Sequence, residues 1–164
     1  MDALLALVGL LAVLHVVYAT WTAKRLDRLH ARVDAATAAL DGQLRQRAEV
    51  ALAWGRSSRR AGARDVADAA GAALGMTGLG HDREAAESAL SRALQAVGGE
   101  VEADLVDVVL RTGFARRFHN DAVRDALVVR RRRIVRWFRL AGTARLPSFF
   151  EMDEPVLDRR TIEV

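Results

Sequence analysis

The chain contains no cysteine, only two prolines, and few aromatic side chains, which make up 5% of it. Without cysteine it can form neither disulfides nor cysteine-based zinc, iron–sulfur or thiol sites. The scarcity of proline and aromatics, with abundant Ala, Leu, Val and Arg, favours helices over strands. Lysine is also nearly absent, because Lys24 is the single lysine among 25 basic residues. At 164 residues the composition predicts one all-α domain beside any membrane segment.

Charge is missing from the N-terminal segment. Residues 3–23 read ALLALVGLLAVLHVVYATWTA and carry no charged side chain. A helix of this length spans roughly 31 Å, which matches a bilayer hydrocarbon core of about 30 Å. Tyr18 and Trp21 lie at its C-terminal end, where interfacial aromatics are common. A cleaved signal peptide is the alternative, but the start is acidic and the apolar run is long for one. We therefore predict a retained transmembrane anchor at residues 1–23.

The charges that flank this segment predict its orientation. Lys24, Arg25, Arg28 and Arg32 follow the apolar run, whereas only the amino terminus and Asp2 precede it. The side of a membrane helix that is rich in Lys and Arg usually faces the cytoplasm. The sequence thus predicts a single-pass protein of the cell membrane, with its N-terminus outside and residues 24–164 in the cytoplasm.

The spacing of apolar residues predicts four helices. The first extends without a break from residue 3 to Trp54, and the second covers residues 64–74. The third covers residues 83–97 with Asp82 as its N-cap, and the fourth covers residues 100–140. The predicted apolar stripe of the fourth helix comprises Val101, Leu105, Val108, Val109, Phe114, Phe118, Ala122, Ala126 and Ile134.

Short links between these helices favour an up-and-down four-helix bundle, whose first helix continues from the anchor. We assign residues 24–140 to this cytoplasmic bundle. Residues 141–164 contain both prolines, Pro147 and Pro155, and are predicted to form an extended C-terminal tail.

Four segments resemble the LemA family in their order and spacing. They are LDGQLRQR (40–47), AESALSRALQAV (86–97), ARRFHNDAVRD (115–125) and SFFEMDE (148–154). The third segment is the most specific, because the family typically shows Arg-Phe-Tyr-Asn with a following Val there. The resemblance implies a membrane-anchored helical bundle with an extracytoplasmic N-terminus. It implies no catalytic residues, because the molecular function of the family is unsettled.

The chain departs from the family pattern at several positions, so we describe it as a divergent member. His119 stands where a tyrosine is usual, and Leu127 replaces a second asparagine. Arg133 and Ile134 replace a Phe-Pro pair, which removes the kink that proline would impose.

The sequence His119-Asn120-Asp121 is the most conspicuous candidate site. Consecutive helical side chains are about 100° apart, so these three point in different directions. No carboxylate lies three or four residues from His119 to orient it, and no serine or cysteine nucleophile shares its turn. No pair of histidines has metal-ligand spacing either. We predict no catalytic, metal or cofactor site and no small-molecule substrate; a hydrolase that uses His119 is the disfavoured alternative.

A structural role is the better interpretation of this segment. Asn120 is predicted to lie near the core and to form a hydrogen bond across helices, with Gln43 as its partner. Asp121 is predicted to pair on the surface with Arg117 or Arg124, which would contribute about 0.2–0.5 kcal/mol.

Positive charge is concentrated in residues 111–145, which contain eleven arginines against two aspartates. Four arginines in a row cover most of a helix circumference, so they cannot all face a core. In an up-and-down bundle the end of the fourth helix returns to the bilayer, where each arginine could gain about 1 kcal/mol from anionic head groups. The predicted contact residues are Arg130, Arg131, Arg132, Arg133, Arg136, Trp137, Phe138 and Arg139.

Other partners for these arginines stay open. They could meet the acidic surface of a protein, form a merely solvated face, or bind nucleic acid. No aromatic interleaving or base-reading motif supports nucleic acid. The sequence therefore favours a non-enzymatic scaffold or envelope-associated interaction domain at the membrane; the alternative is a membrane-tethered nucleic-acid-binding domain.

Overall fold

The computed structural model describes residues 1–98, 101–131 and 146–155. Its helices are α1 (Asp2–Ser57), α2 (Ala63–Leu74), α3 (His81–Val97) and α4 (Ala103–Arg130). No strand occurs in the described ranges, which confirms the predicted all-helical class. Residues 146–155 have no regular secondary structure.

Helix α1 is a single helix of 56 residues. Its sequence contains no proline, and Ala, Leu and Arg, which favour helices, dominate it. The prediction of one helix from the apolar run to Trp54 is confirmed, and Gly42 does not interrupt it. The large apolar side chains between Leu4 and Trp21 are exposed. In the described part of the chain, α1 is the one helix long and apolar enough to cross a membrane.

The chain divides into two compact units, and the division falls within α1 and α4. The first unit comprises Met1–Asp34 and Asp121–Ser148. Arg32 Nη1 donates to Asp125 Oδ2 there over 3.0 Å. Its buried apolar side chains on α1 and α4 are Leu26, Val33, Ala122, Val123, Ala126 and Val129.

The second unit comprises Ala35–Asn120 and Phe149–Val164. Helix α2 packs against α3, and the main core collects small and branched side chains from all four helices. A separate cluster is formed by Leu40, Leu44 and Phe150. Within this unit α1 and α4 run antiparallel, because Thr112 Oγ1 donates to the carbonyl of Gln43 and Thr37 Oγ1 lies 3.3 Å from His119 Nδ1.

The predicted stripe of α4 is wrong at two positions. Phe114 and Phe118 are 56% and 67% exposed, whereas Thr112 and His119 are buried. The buried line passes through Leu105, Thr112, His119 and Ala126, which repeat every seven residues. A two-stranded helical seam follows this spacing. The prediction assigned only apolar side chains to the buried face, so it left out Thr112 and His119, the two polar residues of this line.

The predicted helix ends also differ from the observed ones. Gly80, not Asp82, precedes α3, and no side-chain hydrogen bond caps that helix. Helix α4 begins at Ala103 instead of residue 100. It is described up to Arg130, and the predicted continuation from residue 132 to residue 140 lies outside the described residues.

Gly55 allows α1 to approach α2 closely. A Cβ placed on Gly55 would lie 2.6 Å from the carbonyl oxygen of Ala63 and 2.8 Å from the amide nitrogen of Ala67. Because both are backbone atoms, α2 would have to shift. We expect Gly55→Ala to lower the free energy of unfolding by about 1–3 kcal/mol in urea denaturation followed by circular dichroism.

Gly42→Ala is the matched control, because Gly42 is an exposed residue of the same helix and a Cβ added there would have no atom within 4 Å. There we expect a gain of roughly 0.5–1 kcal/mol from the better helix propensity of alanine. Equal effects of the two substitutions would show that the close approach at Gly55 does not constrain the fold.

Candidate functional site

Three charged side chains are buried together between α1 and α3. Arg47 of α1 meets Arg83 and Glu87 of α3, and all three are almost completely inaccessible to solvent. Arg47 Nη2 donates to Glu87 Oε2, and Arg83 Nε donates to Glu87 Oε1 over 2.7 Å. Arg47 Nη1 also donates to Ser91 Oγ over 3.1 Å. We call this group the buried ion cluster.

The buried ion cluster holds two guanidinium groups against one carboxylate. Burial lowers the pKa of Arg47, and the charge and hydrogen bond of Glu87 oppose that shift. Arginine nevertheless stays protonated in proteins, so the cluster carries net positive charge. Among the described residues, Arg47 Nε and Arg83 Nη2 are buried without a hydrogen-bond partner. Glu87 is the one carboxylate in the described part of the chain that forms ion pairs with Arg47 and Arg83.

Beside this cluster the C-terminal tail is docked onto the helices. The side-chain amide of Asn120 forms two hydrogen bonds with the backbone of Phe150: Nδ2 donates to the carbonyl over 3.1 Å, and Oδ1 accepts from the amide over 2.9 Å. The ring of Phe150 is fully buried against Leu40 and Leu44. Asn120 thus satisfies both backbone groups at the point where the tail enters the core.

Further along the tail, two backbone amides bond to α3. Glu84 Oε1 accepts from the amide of Glu151 over 2.9 Å, and Ser88 Oγ accepts from the amide of Asp153 over 3.1 Å. The side chain of Asp153 pairs with Arg92 at 2.7 Å. The tail is therefore fixed through its backbone as well as its side chains.

The carboxylate of Glu154 lies between two arginines of α4. Arg116 Nη2 donates to Glu154 Oε1 over 2.6 Å, and Arg117 Nη2 donates to Oε2 over 3.3 Å. A pocket of about 130 Å³ adjoins this pair and is lined by Arg47, Phe114 and Met152, among others. The pocket links the docked tail to the buried ion cluster.

The ion pair of Glu154 makes tail docking pH-dependent. The hydrogen bond from Arg116 holds the pKa of Glu154 below its usual 4.5; partial burial opposes this, and the charges of Arg116 and Arg117 add to it. A group with a lowered pKa contributes its full stabilisation above its usual pKa and loses it as the pH falls through the lowered value. We expect the tail to be held less tightly as the pH falls below 4.5.

This pH dependence can be followed with an environment-sensitive dye on Phe149→Cys, an exposed position of the tail, because the chain has no other cysteine. Glu154→Gln should remove part of the acid-induced release, and Asp104→Asn, an exposed acid on α4, should not. An identical acid response of the two variants would contradict the role given to Glu154.

The structure corrects the partner predicted for Asn120. Asn120 bonds to the tail at Phe150 and not to Gln43. The carbonyl of Gln43 instead accepts from Thr112, and its Oε1 is buried without a partner in the described structure. The reason is that Asn120 faces the groove filled by the tail, a long-range contact that local spacing does not reveal.

The other two residues of the segment, His119 and Asp121, contact neighbouring side chains of the fold. Asp121 Oδ1 accepts from Arg124 over 2.8 Å, which confirms one of the two predicted surface pairs. His119 is buried with Nδ1 beside the hydroxyl of Thr37. No group of three or more acidic or histidine side chains suited to a metal ion occurs among the residues that the structure describes.

The predicted basic contact surface is described only in part. Arg130 ends α4, and Arg131 follows it in a turn. Both line a cleft with Leu127, Leu146 and Pro147. The remaining predicted contact residues lie outside the described ranges; they are Arg132, Arg133, Arg136, Trp137, Phe138 and Arg139.

Sequence reasoning missed the residues that now stand out, namely Arg47, Glu87 and Phe150. One signal was available for Arg47, since it lies seven residues after Leu40 and seven before Trp54, both of which are buried. Comparison with models of known families, with curated proteins and with solved structures finds no match to this chain.

Proposed function

We propose that the chain is a single-pass membrane protein whose cytoplasmic helical bundle acts as a non-enzymatic scaffold or interaction domain. The observation that carries this proposal is α1 itself. It is one unbroken helix whose apolar N-terminal part is exposed to solvent, while its C-terminal part supplies core residues such as Leu40 and Leu44. In a bilayer, lipid chains would surround the exposed part and remove its apolar surface from water, which is favourable.

We further propose that the bundle is up-and-down and that α4 returns to the bilayer. The antiparallel pairing of α1 and α4 in the second unit supports this direction. In the first unit Asp125 pairs with Arg32. An antiparallel α4 would then have Arg130 and Arg131 about 8 Å closer to the apolar run than Asp125, at 1.5 Å per residue. Arginines at that level would reach anionic head groups.

The resemblance to the LemA family is part of the same proposal. Its support is that the four resembling segments contact one another in pairs. Segment 40–47 meets segment 86–97 through Arg47 and Glu87, and segment 115–125 meets segment 148–154 through Asn120 and Phe150. Residues that match a family pattern would be expected to hold the fold together in this way.

The orientation is tested with single cysteines in the cysteine-free chain. In intact cells that express the protein, a membrane-impermeant maleimide should label Asp2→Cys, which precedes the apolar run, directly. It should label Arg59→Cys, in the exposed link after α1, only after permeabilisation. Labelling of Arg59→Cys in intact cells would reverse the proposed topology, and labelling of neither site before permeabilisation would refute the external N-terminus.

The lipid contact is tested by flotation of residues 24–164 with vesicles, after circular dichroism has verified that this part is helical. We expect binding to anionic but not to neutral vesicles, and weaker binding at high salt. Replacing Arg130–Arg133 with Ser should abolish it. Replacing Arg56, Arg59, Arg60 and Arg64 with Ser is the matched control, because it removes the same number of positive charges from exposed positions of the second unit.

Absence of flotation under every condition would refute the lipid contact. Salt-sensitive binding to generic DNA or RNA that survives competition by anionic vesicles would then favour the nucleic-acid alternative.

A further inference from the structure

We propose that the groove holding residues 149–155 is a peptide-binding site, which the chain's own tail fills in this structure. Its partner is a peptide that has an aromatic residue followed by acidic residues three and four positions later. The groove lies in the second unit and is formed by α1, α3 and α4. The inference gives the proposed interaction domain a class of partner, so it rests on that role, but it does not depend on the lipid contact.

The groove holds its occupant through the backbone. Asn120 pairs with both the amide and the carbonyl of Phe150, and side chains of α3 accept from the amides of Glu151 and Asp153. Three amides and one carbonyl of the segment are therefore bonded to side chains of the helices. Side chains that bond to the backbone hold an extended segment largely regardless of its sequence, as in other modes of peptide recognition.

One aromatic ring anchors the occupant in the groove. Phe150 is completely buried, whereas its neighbour Phe149 is 39% exposed. The ring lies among Leu40, Leu44 and the partly buried Leu79. Burial of a single aromatic side chain in a matching pocket is the usual source of affinity in peptide recognition.

The charges of the groove and of its occupant are complementary. Asp153, three positions after the anchor, pairs with Arg92, and Glu154, four positions after it, pairs with Arg116 and Arg117. The cations belong to α3 and α4, and the acids belong to the occupant. This arrangement selects an acidic segment and excludes a basic one.

The tail is also suited to exchange. The Arg92–Asp153 pair is more than half exposed on both sides, and exposed ion pairs contribute little to stability. The segment has no secondary structure of its own that would have to unfold. Release of the tail would thus depend mainly on the anchor, the Asn120 contacts and the ion pair of Glu154 with the largely buried Arg116.

The test uses the full chain in detergent micelles and a fluorescein-labelled peptide with the sequence of residues 146–155, LPSFFEMDEP. Fluorescence anisotropy measures its binding to the intact chain, to Phe150→Ala, and to the double variant Asp153→Asn, Glu154→Gln. We expect the intact chain to bind the peptide at least about tenfold more weakly than Phe150→Ala does, because its own tail competes. The double variant, which leaves the core untouched, should lie between them.

Specificity is tested with altered peptides on the same proteins. A peptide with Phe150→Ala should lose binding by at least about tenfold, and a peptide with Phe149→Ala should bind almost unchanged. Introducing Asn120→Ala into the double variant should abolish binding. Circular dichroism verifies that each variant stays helical, and the double variant decides the question if Phe150→Ala does not fold.

Three outcomes would overturn the proposal. The peptide could fail to bind the folded double variant, which would make the tail a fixed part of the core. The Phe150→Ala and Phe149→Ala peptides could bind equally, which would show that Phe150 does not anchor the segment. Dimers of the intact chain that require Phe150 would show that the groove takes the segment from a second copy instead of a partner. Failure of peptide binding with intact flotation would leave the proposed membrane role standing.

Discussion

Replacing Glu87 with Gln is expected to lower the free energy of unfolding by about 3–5 kcal/mol, the usual cost of removing one partner from a buried ion pair. Glu87 holds Arg47 and Arg83, and all three side chains are almost completely inaccessible to solvent. Without the carboxylate two guanidinium groups would stay buried without a counter-charge. Urea denaturation of the chain in detergent, followed by circular dichroism, measures the loss.

Two controls separate charge from packing. Asp121→Asn removes the exposed pair with Arg124 and should change the free energy of unfolding by no more than about 0.5 kcal/mol. Replacing the whole cluster with apolar residues, as Arg47→Met, Arg83→Met and Glu87→Leu together, should be neutral or stabilising by about 1–4 kcal/mol. If Glu87→Gln were as mild as Asp121→Asn, the carboxylate of Glu87 would not be what stabilises the two buried arginines.

The second large effect is expected at Phe150. Phe150→Ala should cost about 3–5 kcal/mol, because it removes a fully buried ring from the cluster with Leu40 and Leu44. Phe149→Ala is the control next to it in the chain. Phe149 is partly exposed and lies outside that cluster, so its removal should change stability by only about 0.5 kcal/mol, as at other surface positions.

Urea denaturation compares these two variants directly. Hydrogen exchange at the amides of Phe150 and Glu151 adds a local readout, since both are bonded to helix side chains in the docked tail. Equal losses of stability for the two phenylalanine variants, or unchanged exchange in Phe150→Ala, would contradict the anchoring role of this ring.

The helical class and the continuity of α1 could be predicted because both depend on local pattern. The uncharged run of residues 3–23 and the recurrence of Leu26, Val33, Leu40 and Leu44 are properties of neighbouring positions on one helix. Helices α2 and α3 were found within two residues of their ends for the same reason. The exact end of a helix is set by local backbone geometry. The sequence therefore predicted Asp82 as the N-cap of α3, whereas Gly80 occupies that position.

The candidate site was harder to predict because it depends on long-range contacts between polar residues. Thr112 and His119 complete the buried line of α4, but their polarity hid them and the exposed Phe114 and Phe118 were chosen instead. The contact between Asn120 and Phe150 joins residues thirty positions apart in the chain. No helical period relates two such residues, so the docking of the tail could not be inferred from spacing.

The position of Arg47 has a consequence for how α1 finds its alignment with α3. Leu26, Val33, Leu40, Arg47 and Trp54 are buried at seven-residue intervals. An entirely apolar seam of that kind would tolerate sliding by one repeat, because one large apolar side chain would replace another. Arg47 removes this degeneracy, since a slide would place Leu40 or Trp54 against the carboxylate of Glu87 and leave it unpaired. We expect the all-apolar triple variant to keep its stability yet to show doubled amide signals in magnetic resonance spectra, the sign of two coexisting alignments.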